Sequence, residues 1–322
     1  MRRVLVTGGA GLIGSNIIKE LNNRGHNNII VCDILGKDDK YKNLIGLDFN
    51  DYVEYDKNIF QTNIFSDITH IYHLGACSST TEVDMSYLYE VNTNFSKKLA
   101  QISIEKNIRF VYASSAATYG DGSAGMMDTE DILHFKPLNK YGFSKQLFDI
   151  FASKNNFFKK ITGLKYFNIF GPGEDHKGDM KSLVNKSISQ IADSGSINLF
   201  KSYKNDYKDG EQKRDFLYVK DAAKITIDLS MNLEATGLFN VGSGVANSWN
   251  YLAECIFNSL NKTCCINYID MPDKLKNKYQ YFTQANISKL YNYLPDLKIT
   301  SLQDAVKDYV TTHLIKNENS TI

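Results

Sequence analysis

The stretch Val4-Leu5-Val6-Thr7-Gly8-Gly9-Ala10-Gly11-Leu12-Ile13-Gly14 decides the architecture of this 322-residue chain. An apolar run leads into glycines at intervals of three residues, and an apolar helical pattern continues over residues 13–21. A backbone that turns sharply from a strand into a helix needs positions without a Cβ, and a pyrophosphate must lie against bare N–H groups. The stretch therefore predicts a dinucleotide-binding turn, with an ordinary strand-to-helix turn as the alternative.

The position of Asp33 favours the dinucleotide-binding turn. A second apolar run ends at this aspartate, about 20 residues after the glycine turn, where a carboxylate that binds the adenosine ribose is expected. The alternative is a loop acid that ends the strand. A carboxylate here favours NAD, because it repels the 2′-phosphate of NADP, whereas Lys37 and Lys40 favour NADP.

Strand-like and helix-like patterns alternate through the first half of the chain. They predict an α/β fold: a Rossmann-type doubly wound parallel sheet with a smaller α/β substrate domain. The predicted strands are Val4–Thr7, Ile29–Asp33, 71–76, 110–114 and 163–170. Two later apolar runs, 216–219 and 238–241, are expected to return to the same sheet. The dinucleotide-binding domain then comprises residues 1–171 and approximately 214–245, and the substrate domain approximately 172–213 and 246–322.

Composition and charge limit the kinds of partner. The chain is 43% hydrophobic and 23% charged with a net charge of +1 and a pI of about 7.6, so it has no broad field for nucleic acid or an anionic membrane. No apolar stretch approaches the roughly 20 residues of a membrane span. The five cysteines are scattered without zinc spacing, which predicts reduced thiols, no metal site and a cytoplasmic location.

Tyr141 and Lys145 lie four residues apart in a helix-like segment and therefore share one face of it. An isolated tyrosine has a pKa of about 10, and a neighbouring ammonium lowers it and favours the phenolate, which can act as a base. Ser115 follows a predicted strand and offers a hydroxyl to the same substrate oxygen. The arrangement predicts an enzyme that moves a hydride to or from a carbinol carbon, and the alternative is a surface pair at helical spacing.

Gly8-x-x-Gly11-x-x-Gly14, Ser115 and Tyr141-x-x-x-Lys145 resemble the motifs of the extended short-chain dehydrogenase/reductase superfamily, which includes nucleotide-sugar epimerases and dehydratases. Within it, the chain resembles the ADP-L-glycero-D-manno-heptose-6-epimerase family up to about Leu290. Two motifs are specific to that branch: Cys77-Ser78-Ser79-Thr80-Thr81-Glu82 and His176-Lys177-Gly178. The other matching segments include Ala113-Ser114-Ser115-Ala116-Ala117-Thr118-Tyr119-Gly120, Pro137-Leu138-Asn139-Lys140-Tyr141-Gly142, Tyr166-Phe167-Asn168-Ile169-Phe170-Gly171-Pro172 and Lys213-Arg214-Asp215-Phe216.

The resemblance implies an epimerase that depends on NADP, with NAD as the alternative cofactor. Its reaction inverts C6″ of ADP-D-glycero-β-D-manno-heptose to ADP-L-glycero-β-D-manno-heptose by transient oxidation to a ketone and re-reduction on the opposite face. Tyr141 and Lys177 are the implied acid/base groups, supported by Ser115 and Lys145. Without the resemblance, Lys177 is a solvated loop lysine. A homo-oligomer, specifically a pentamer, and a heptose destined for lipopolysaccharide are also implied.

The resemblance assigns further residues to the two ligands. Those implied at the cofactor are Gly8, Gly11, Leu12, Ile13, Gly14, Asp33, Ile34, Lys40, Leu74, Gly75, Ala76, Cys77, Ser78, Asn92, Lys145, Ile169 and Lys177. Those implied at the ADP-heptose are Ser115, Asn168, Asp179, Lys186, Phe200, Lys201, Ser202, Tyr203, Arg214 and Tyr279. Arg214 is the natural diphosphate clamp because its planar fork matches phosphate oxygens, and a surface salt bridge with Asp215 is the alternative.

The chain departs from the family at Asp179, where the family carries a small hydroxyl residue, at Lys186, where it can carry histidine, and in a longer 203–212 loop. The rival functions are a nucleotide-sugar 4-epimerase or 4,6-dehydratase, and a non-catalytic dinucleotide-sensing protein. A dehydratase needs an extra acid beside its serine, which Ala116-Ala117-Thr118 does not supply. In a sensor that has lost catalysis, the catalytic Tyr-x-x-x-Lys motif is expected to be altered, whereas here both Tyr141 and Lys145 are present.

Overall fold

The computed structural model describes residues 2–128, 131–276 and 279–315. The strands are β1 (Val4–Thr7), β2 (Ile29–Asp33), β3 (Asp51–Glu54), β4 (His70–His73), β5 (Arg109–Ser115), β6 (Thr162–Tyr166), β7 (Asn168–Phe170), β8 (Ile197–Phe200), β9 (Lys213–Tyr218), β10 (Gly237–Val241), β11 (Ala246–Ser248) and β12 (Ile266–Ile269). The α-helices are α1 (Leu12–Asn23), α2 (Met85–Leu88), α3 (Phe95–Glu105), α4 (Lys140–Lys154), α5 (Leu183–Ser194), α6 (Val219–Met231), α7 (Trp249–Ser259), α8 (Asp273–Lys276), α9 (Ser288–Tyr293) and α10 (Leu302–Asp308).

Seven parallel strands form the main sheet in the order β10-β6-β5-β4-β1-β2-β3. The predicted Rossmann-type doubly wound parallel sheet is therefore confirmed. The strand order reverses between β1 and β4, and ligands of such sheets bind outside the carboxyl ends of the strands at the reversal. The glycine turn follows β1 directly, so it lies at that place.

The central strands are buried on both faces, which is why their sequences are continuous apolar runs. On one face, Leu5 belongs to a core cluster that includes Phe148 of α4. On the other face, Val6 belongs to a second cluster with Ile17 of α1. Because successive side chains of a strand point to opposite faces, β1 is held from both sides and the glycine turn at its end has a fixed position.

Two strand predictions are wrong. Segment 163–170 is two strands, because the chain leaves the main sheet after Tyr166, where the Phe167 N–H donates to the Val241 carbonyl. Segment 216–219 does not return to the main sheet: β9 pairs with β7 and β11 in a separate three-stranded sheet, since β10 already occupies the position beside β6. Segment 238–241 does return, within β10. The predicted strand 71–76 ends at His73, which leaves 74–76 as a loop at the edge of the sheet.

The later part of the chain has a core cluster of its own. Val184 of α5, Leu252 of α7 and Val306 of α10 pack there with residues of β7 and β9. β8 and β12 form a two-stranded parallel sheet beside it. The domain boundaries stay predictions, and residues 316–322 of the predicted substrate domain lie outside the described residues. Within the described ranges, no helix is long and apolar enough to cross a membrane.

Candidate active site

The glycine turn brings three backbone segments into close contact. Gly8 has a φ of +67°, and a Cβ added to it would lie 2.6 Å from the Gly75 nitrogen. A Cβ on Gly14 would lie 2.1 Å from the Gly8 carbonyl oxygen. Helix α1 begins at Leu12 without a side-chain cap and without an acidic residue in its first turn. Its first N–H groups are thus free to bind an anion, and the turn fits the pyrophosphate of a dinucleotide.

A cleft of about 530 Å³ opens at this turn. Most residues implied at the cofactor line it together with the four implied catalytic residues. They are Gly8, Gly11, Leu12, Ile13, Gly14, Asp33, Lys40, Leu74, Gly75, Ala76, Cys77, Ser78, Ser115, Tyr141, Lys145, Ile169 and Lys177. Residues from all along the first 180 positions of the sequence thus meet in one cavity.

Ile34 and Asn92 do not line this cleft. Ile34 is 50% exposed at the surface. Asn92 is fully buried on the π-helical turn Tyr89–Asn94, where its Oδ1 accepts the Cys77 N–H at 2.8 Å. Its Nδ2 donates to the Cys77 carbonyl at 3.0 Å and to Ser144 Oγ at 2.9 Å. Asn92 therefore fixes the loop that lines the cleft to the helix that carries Tyr141.

Asp33 is held at the cleft by three donors. Its Oδ2 accepts the Ala10 N–H at 2.9 Å, and its Oδ1 accepts the Ile34 N–H at 2.7 Å. Lys40 Nζ donates to the same Oδ1 at 2.9 Å, and both side chains are mostly buried. The carboxylate charge is therefore balanced by an ammonium at the end of the cleft where an adenosine ribose would lie.

Ser115 and Tyr141 meet at the other end of the cleft. Helix α4 begins at Lys140 because the Asn139 side chain accepts the Gly142 N–H at 2.8 Å, which sets Tyr141 in its first turn. Burial raises the pKa of Tyr141 above its ordinary value, and a hydrogen bond with Ser115 offsets part of this increase. Burial is the largest influence on this pKa in the protein without a dinucleotide, and the lowering by Lys145, aided by the positive ring of a bound nicotinamide, stays a prediction.

The Lys145 ammonium points away from bulk water. Its Nζ donates to the Ala113 carbonyl at 2.9 Å, and 5% of the residue is exposed. Burial lowers the pKa of Lys145 to about 8, although the negative charge of Asp149 has the opposite effect on this pKa. Its burial thus distinguishes Lys145 from a lysine on a surface helix, whose pKa stays near the ordinary value.

Lys177 lies on the 3₁₀ helix Asp175–Met180 and is half-buried. Burial lowers the pKa of Lys177, and Glu174 opposes this change. Within the described ranges its Nζ has no hydrogen-bond or ion-pair partner. Its side chain lines the cleft that Tyr141 lines, which favours the predicted acid/base role over that of a solvated loop lysine.

A second cleft, of about 640 Å³, adjoins the first. Asn168 lines the second cleft while its neighbour Ile169 lines the first. The residues implied at the ADP-heptose that line it are Asn168, Asp179, Lys186, Phe200, Arg214 and Tyr279.

Lys201, Ser202 and Tyr203 do not line the second cleft. The Lys201 ammonium and the Tyr203 hydroxyl both contact Asp270, at 3.3 and 2.9 Å, and the Ser202 N–H donates to Asp209 at 2.7 Å. These contacts brace the long 203–212 loop.

Arg214 is the buried cation of the second cleft. It is 6% exposed, its guanidinium carbon lies 4.9 Å from the ring centre of Tyr279, and burial lowers the pKa of Arg214. Asp215 is not its partner, because that carboxylate is fully buried and accepts the N–H groups of Ser243, Gly244 and Ala285. The alternative prediction, a surface salt bridge between Arg214 and Asp215, is therefore wrong. The two side chains cannot pair because successive residues of a strand point to opposite faces.

Sequence reasoning missed several residues that line the second cleft. They are Thr80, Asn139, Lys181, Gln190, Asn198, Leu199, Trp249, Ile269, Leu275 and Gln280, among others. Most lie on elements that meet only in the folded chain, so no local pattern marks them. Trp249, the one tryptophan of the chain, is the exception that composition alone could have singled out. In the part of the chain that the structure describes, no group of three or more His, Cys, Asp or Glu side chains could hold a metal ion.

Comparisons with known proteins agree with this arrangement. A family model described as the NAD dependent epimerase/dehydratase family matches residues 4–242. The ADP-L-glycero-D-manno-heptose-6-epimerase of Nitratidesulfovibrio vulgaris (strain DP4) is 44% identical over 314 residues, which cover 96% of this chain and 97% of that relative. The protein of the same name from Fusobacterium nucleatum subsp. nucleatum is 41% identical over 330 residues, covering 98% and 99%. The solved Helicobacter pylori ADP-L-glycero-D-manno-heptose-6-epimerase has a TM-score of 0.80 and 26% identity, covering 97% of this chain and 96% of that chain.

Proposed function

The chain belongs to the NAD dependent epimerase/dehydratase family and is an isomerase, and we propose that it inverts C6″ of ADP-D-glycero-β-D-manno-heptose through a transient ketone. The product is ADP-L-glycero-β-D-manno-heptose. The names of relatives at 41% and 44% identity support this substrate. The observation that carries the mechanism is that a phenol and an amine, Tyr141 and Lys177, line one cleft.

When the carbinol carbon is oxidised to the ketone, the hydroxyl gives up its proton, and when the ketone is reduced on its opposite face, the oxygen takes up a proton again; two acid/base groups, one on each face, serve these two steps. Tyr141 handles the proton on one face, and Ser115, hydrogen-bonded to it, binds the same oxygen. Lys145 provides positive charge next to the phenol and favours its ionised form. Lys177 handles the proton on the other face, which its lowered pKa makes easier near neutral pH. A nicotinamide dinucleotide, when bound, supplies the acceptor and the donor of the hydride.

Arg214 orients the substrate in this proposal. A guanidinium that is buried and has no carboxylate partner among the described residues is suited to a diphosphate, since its fork can bind two phosphate oxygens. Asn168 and Tyr279, which line the same cleft, are placed to contact the rest of the nucleotide sugar. The sugar then reaches from Arg214 towards the first cleft, where Tyr141 and Lys177 lie.

The preferred cofactor in this proposal is NADP. Lys40 balances the charge of Asp33, so the ribose end of the cleft does not repel a 2′-phosphate. Calorimetry is expected to show NADP binding at least about tenfold more tightly than NAD, the scale of one charge-assisted hydrogen bond. Lys40→Glu should narrow or reverse the preference, whereas Lys42→Glu, on the same 3₁₀ helix but exposed and paired with Asp39, should not. If the wild type bound NAD more tightly than NADP, the assignment of NADP as the preferred cofactor would be wrong, and the proposed epimerase function would not be affected.

Turnover of the purified protein with a set of nucleotide sugars tests the function itself. The expected result is inversion of ADP-D-glycero-β-D-manno-heptose at C6″ with little action on UDP-hexoses. Inversion at C4 of a UDP-hexose would identify a 4-epimerase, and release of water would identify a dehydratase. Binding of the dinucleotide without any turnover would identify a sensor. Each of these three results contradicts the proposed function.

A further inference from the structure

Residues 171–182 form a segment, here called the lysine strap, that runs from the end of β7 to the start of α5 and carries Lys177. The strap is closed on itself by Glu174, which is 1% exposed. The Glu174 carboxylate accepts the N–H and the hydroxyl of Ser182, each at 2.6 Å, and its carbonyl accepts the Lys177 N–H at 3.0 Å. Because the two ends are joined in this way, the strap can shift as one unit, and outside contacts must fix its position.

Three asparagine amides provide such contacts, and one of them, Asn185 of α5, donates from Nδ2 to Asp175 Oδ1 at 2.8 Å. Asn16 of α1 donates from Nδ2 to the Pro172 carbonyl at 2.8 Å. Asn43, on the 3₁₀ helix Asp39–Leu44, donates from Nδ2 to the Gly173 carbonyl at 2.9 Å and lies 3.3 Å from His176 Nδ1. An amide NH₂ has two hydrogens, and the carbonyls of Gly173 and Ala10, each 2.9 Å away, accept them, so His176 Nδ1 lies beside the amide as a weaker third contact. His176 is the residue directly before Lys177.

Asn43 also contacts the glycine turn. Its Nδ2 donates to the Ala10 carbonyl at 2.9 Å, while the Ala10 N–H donates to Asp33. The peptide unit on each side of Ala10 is thus held, and the same amide group reaches the strap. Asn16 Nδ2 also donates to the Leu12 carbonyl at 2.8 Å and so joins the start of α1 to the strap, but of the three amides only Asn43 reaches both Ala10 and the residue next to Lys177.

We propose that Asn43 is a positioning residue for Lys177: its amide joins the glycine turn to the lysine strap and so sets where the Lys177 amine lies relative to the bound dinucleotide and sugar. The inference rests on the proposed function, in which Lys177 handles a proton. Displacement of an acid/base group by about 1 Å can cost on the order of a hundredfold in rate. A half-buried asparagine far from the sugar hydroxyls would therefore have a large effect on inversion.

Two substitutions distinguish the loss of the hydrogen bonds that the Asn43 amide donates from the loss of its side-chain volume. Asn43→Ala removes the amide, and Asn43→Asp keeps its shape but presents a carboxylate to the carbonyl oxygens of Ala10 and Gly173. Each variant is expected to lower kcat for inversion by about 10- to 100-fold with little change in KM, and the aspartate at least as much as the alanine. Asn22→Ala is the matched control, because Asn22 similarly bridges two carbonyls, those of His26 and Asp48, away from the strap. It should leave kcat within about twofold.

A readout independent of activity accompanies the kinetics. In nitrogen NMR, the ring signals of His176, whose Nδ1 lies 3.3 Å from the Asn43 amide, should change in Asn43→Ala and stay as in the wild type in Asn22→Ala. His176→Gln assigns these signals among the six histidines. In kinetics, Asn43→Ala should spare a half-reaction that Tyr141 performs alone, such as dismutation of an aldehyde analogue.

The outcomes are distinguishable. If Lys177→Met is inactive in inversion while both Asn43 variants keep kcat within twofold, the positioning role is wrong and the proposed function stands. Equal losses in inversion and in the Tyr141 half-reaction would also overturn it, because they would show general damage. If Lys177→Met itself inverts at nearly the wild-type rate, the second acid/base group of the proposed function is wrong, and the role of Asn43 falls with it.

Discussion

The carboxylate of Asp149 and the ammonium of Lys165 form an ion pair at 2.8 Å in which both side chains are 0% exposed. Asp149 also accepts the hydroxyls of Tyr112 and Ser114, each at 2.7 Å, and Lys165 donates to Thr118 Oγ1 at 2.7 Å. The network joins β5, β6 and α4 directly behind the proposed catalytic groups. Asp149→Asn keeps the shape and leaves a buried ammonium without its counter-charge.

The cost of that change follows from two estimates. Breaking a buried ion pair by removal of one partner costs about 3–5 kcal/mol. The stranded ammonium can instead release its proton, and for an ordinary lysine, with a pKa of about 10.4, this costs about 4.6 kcal/mol at pH 7. Asp149→Asn is therefore expected to lose about 3–5 kcal/mol of unfolding free energy at pH 7. The lysine is then neutral when folded and protonated when unfolded, so the loss should shrink as the pH rises, to about 2 kcal/mol at pH 9.

Urea unfolding of both proteins at pH 7 and pH 9 measures this difference. Adding Lys165→Met to Asp149→Asn should restore most of the loss, because a neutral pair leaves no buried charge. Asp228→Asn is the control: it breaks the pair with Arg24, whose side chains are 31% and 37% exposed, and should cost less than about 1 kcal/mol. A loss below 1 kcal/mol in Asp149→Asn, or a loss that does not depend on pH, would refute the reasoning.

Three further substitutions test the proposed roles at the two clefts. Tyr141→Phe removes the ionisable oxygen, so turnover should fall by about a hundredfold or more while calorimetry shows unchanged dinucleotide binding; near-normal turnover would mean that another group handles the proton. Lys177→Met should abolish inversion and spare the Tyr141 half-reaction, and inversion within about tenfold of the wild type would remove Lys177 from the mechanism. Arg214→Met should raise KM for the nucleotide sugar by about 10- to 100-fold. Arg214→Lys should give a KM between those of the wild type and Arg214→Met, because lysine keeps the charge but lacks the planar fork. An unchanged KM would mean that the diphosphate binds elsewhere.

The parts of the fold and site that the sequence predicted are those that short stretches determine. The glycine turn, the strand that precedes it and the helix that carries Tyr141 depend on neighbouring residues, so their positions were predicted to within a residue or two. β3 was missed because Asp51–Glu54, at the edge of the sheet, has only two partly buried residues between two exposed charged ones, which a search for apolar runs does not detect.

The parts that sequence reasoning did not give depend on contacts between distant segments. The burial of Tyr141, which raises its pKa in the protein without a dinucleotide, depends on the folded chain and cannot be derived from the spacing between Tyr141 and Lys145. The alternative that paired Asp215 with Arg214 rested on their adjacency, but the partners of Asp215, namely Ser243, Gly244 and Ala285, come from elsewhere in the chain. No spacing links these residues.

The central claim is that one hydrogen leaves C6″ as hydride and returns to the same carbon on the opposite face. The most direct test is the conversion, in ordinary water, of ADP-D-glycero-β-D-manno-heptose that carries deuterium at C6″. Mass and NMR spectra of the product are predicted to show inverted C6″ that retains the deuterium. Replacement of the deuterium by hydrogen from water would show that C6″ is inverted by loss and return of a proton, and it would contradict the account.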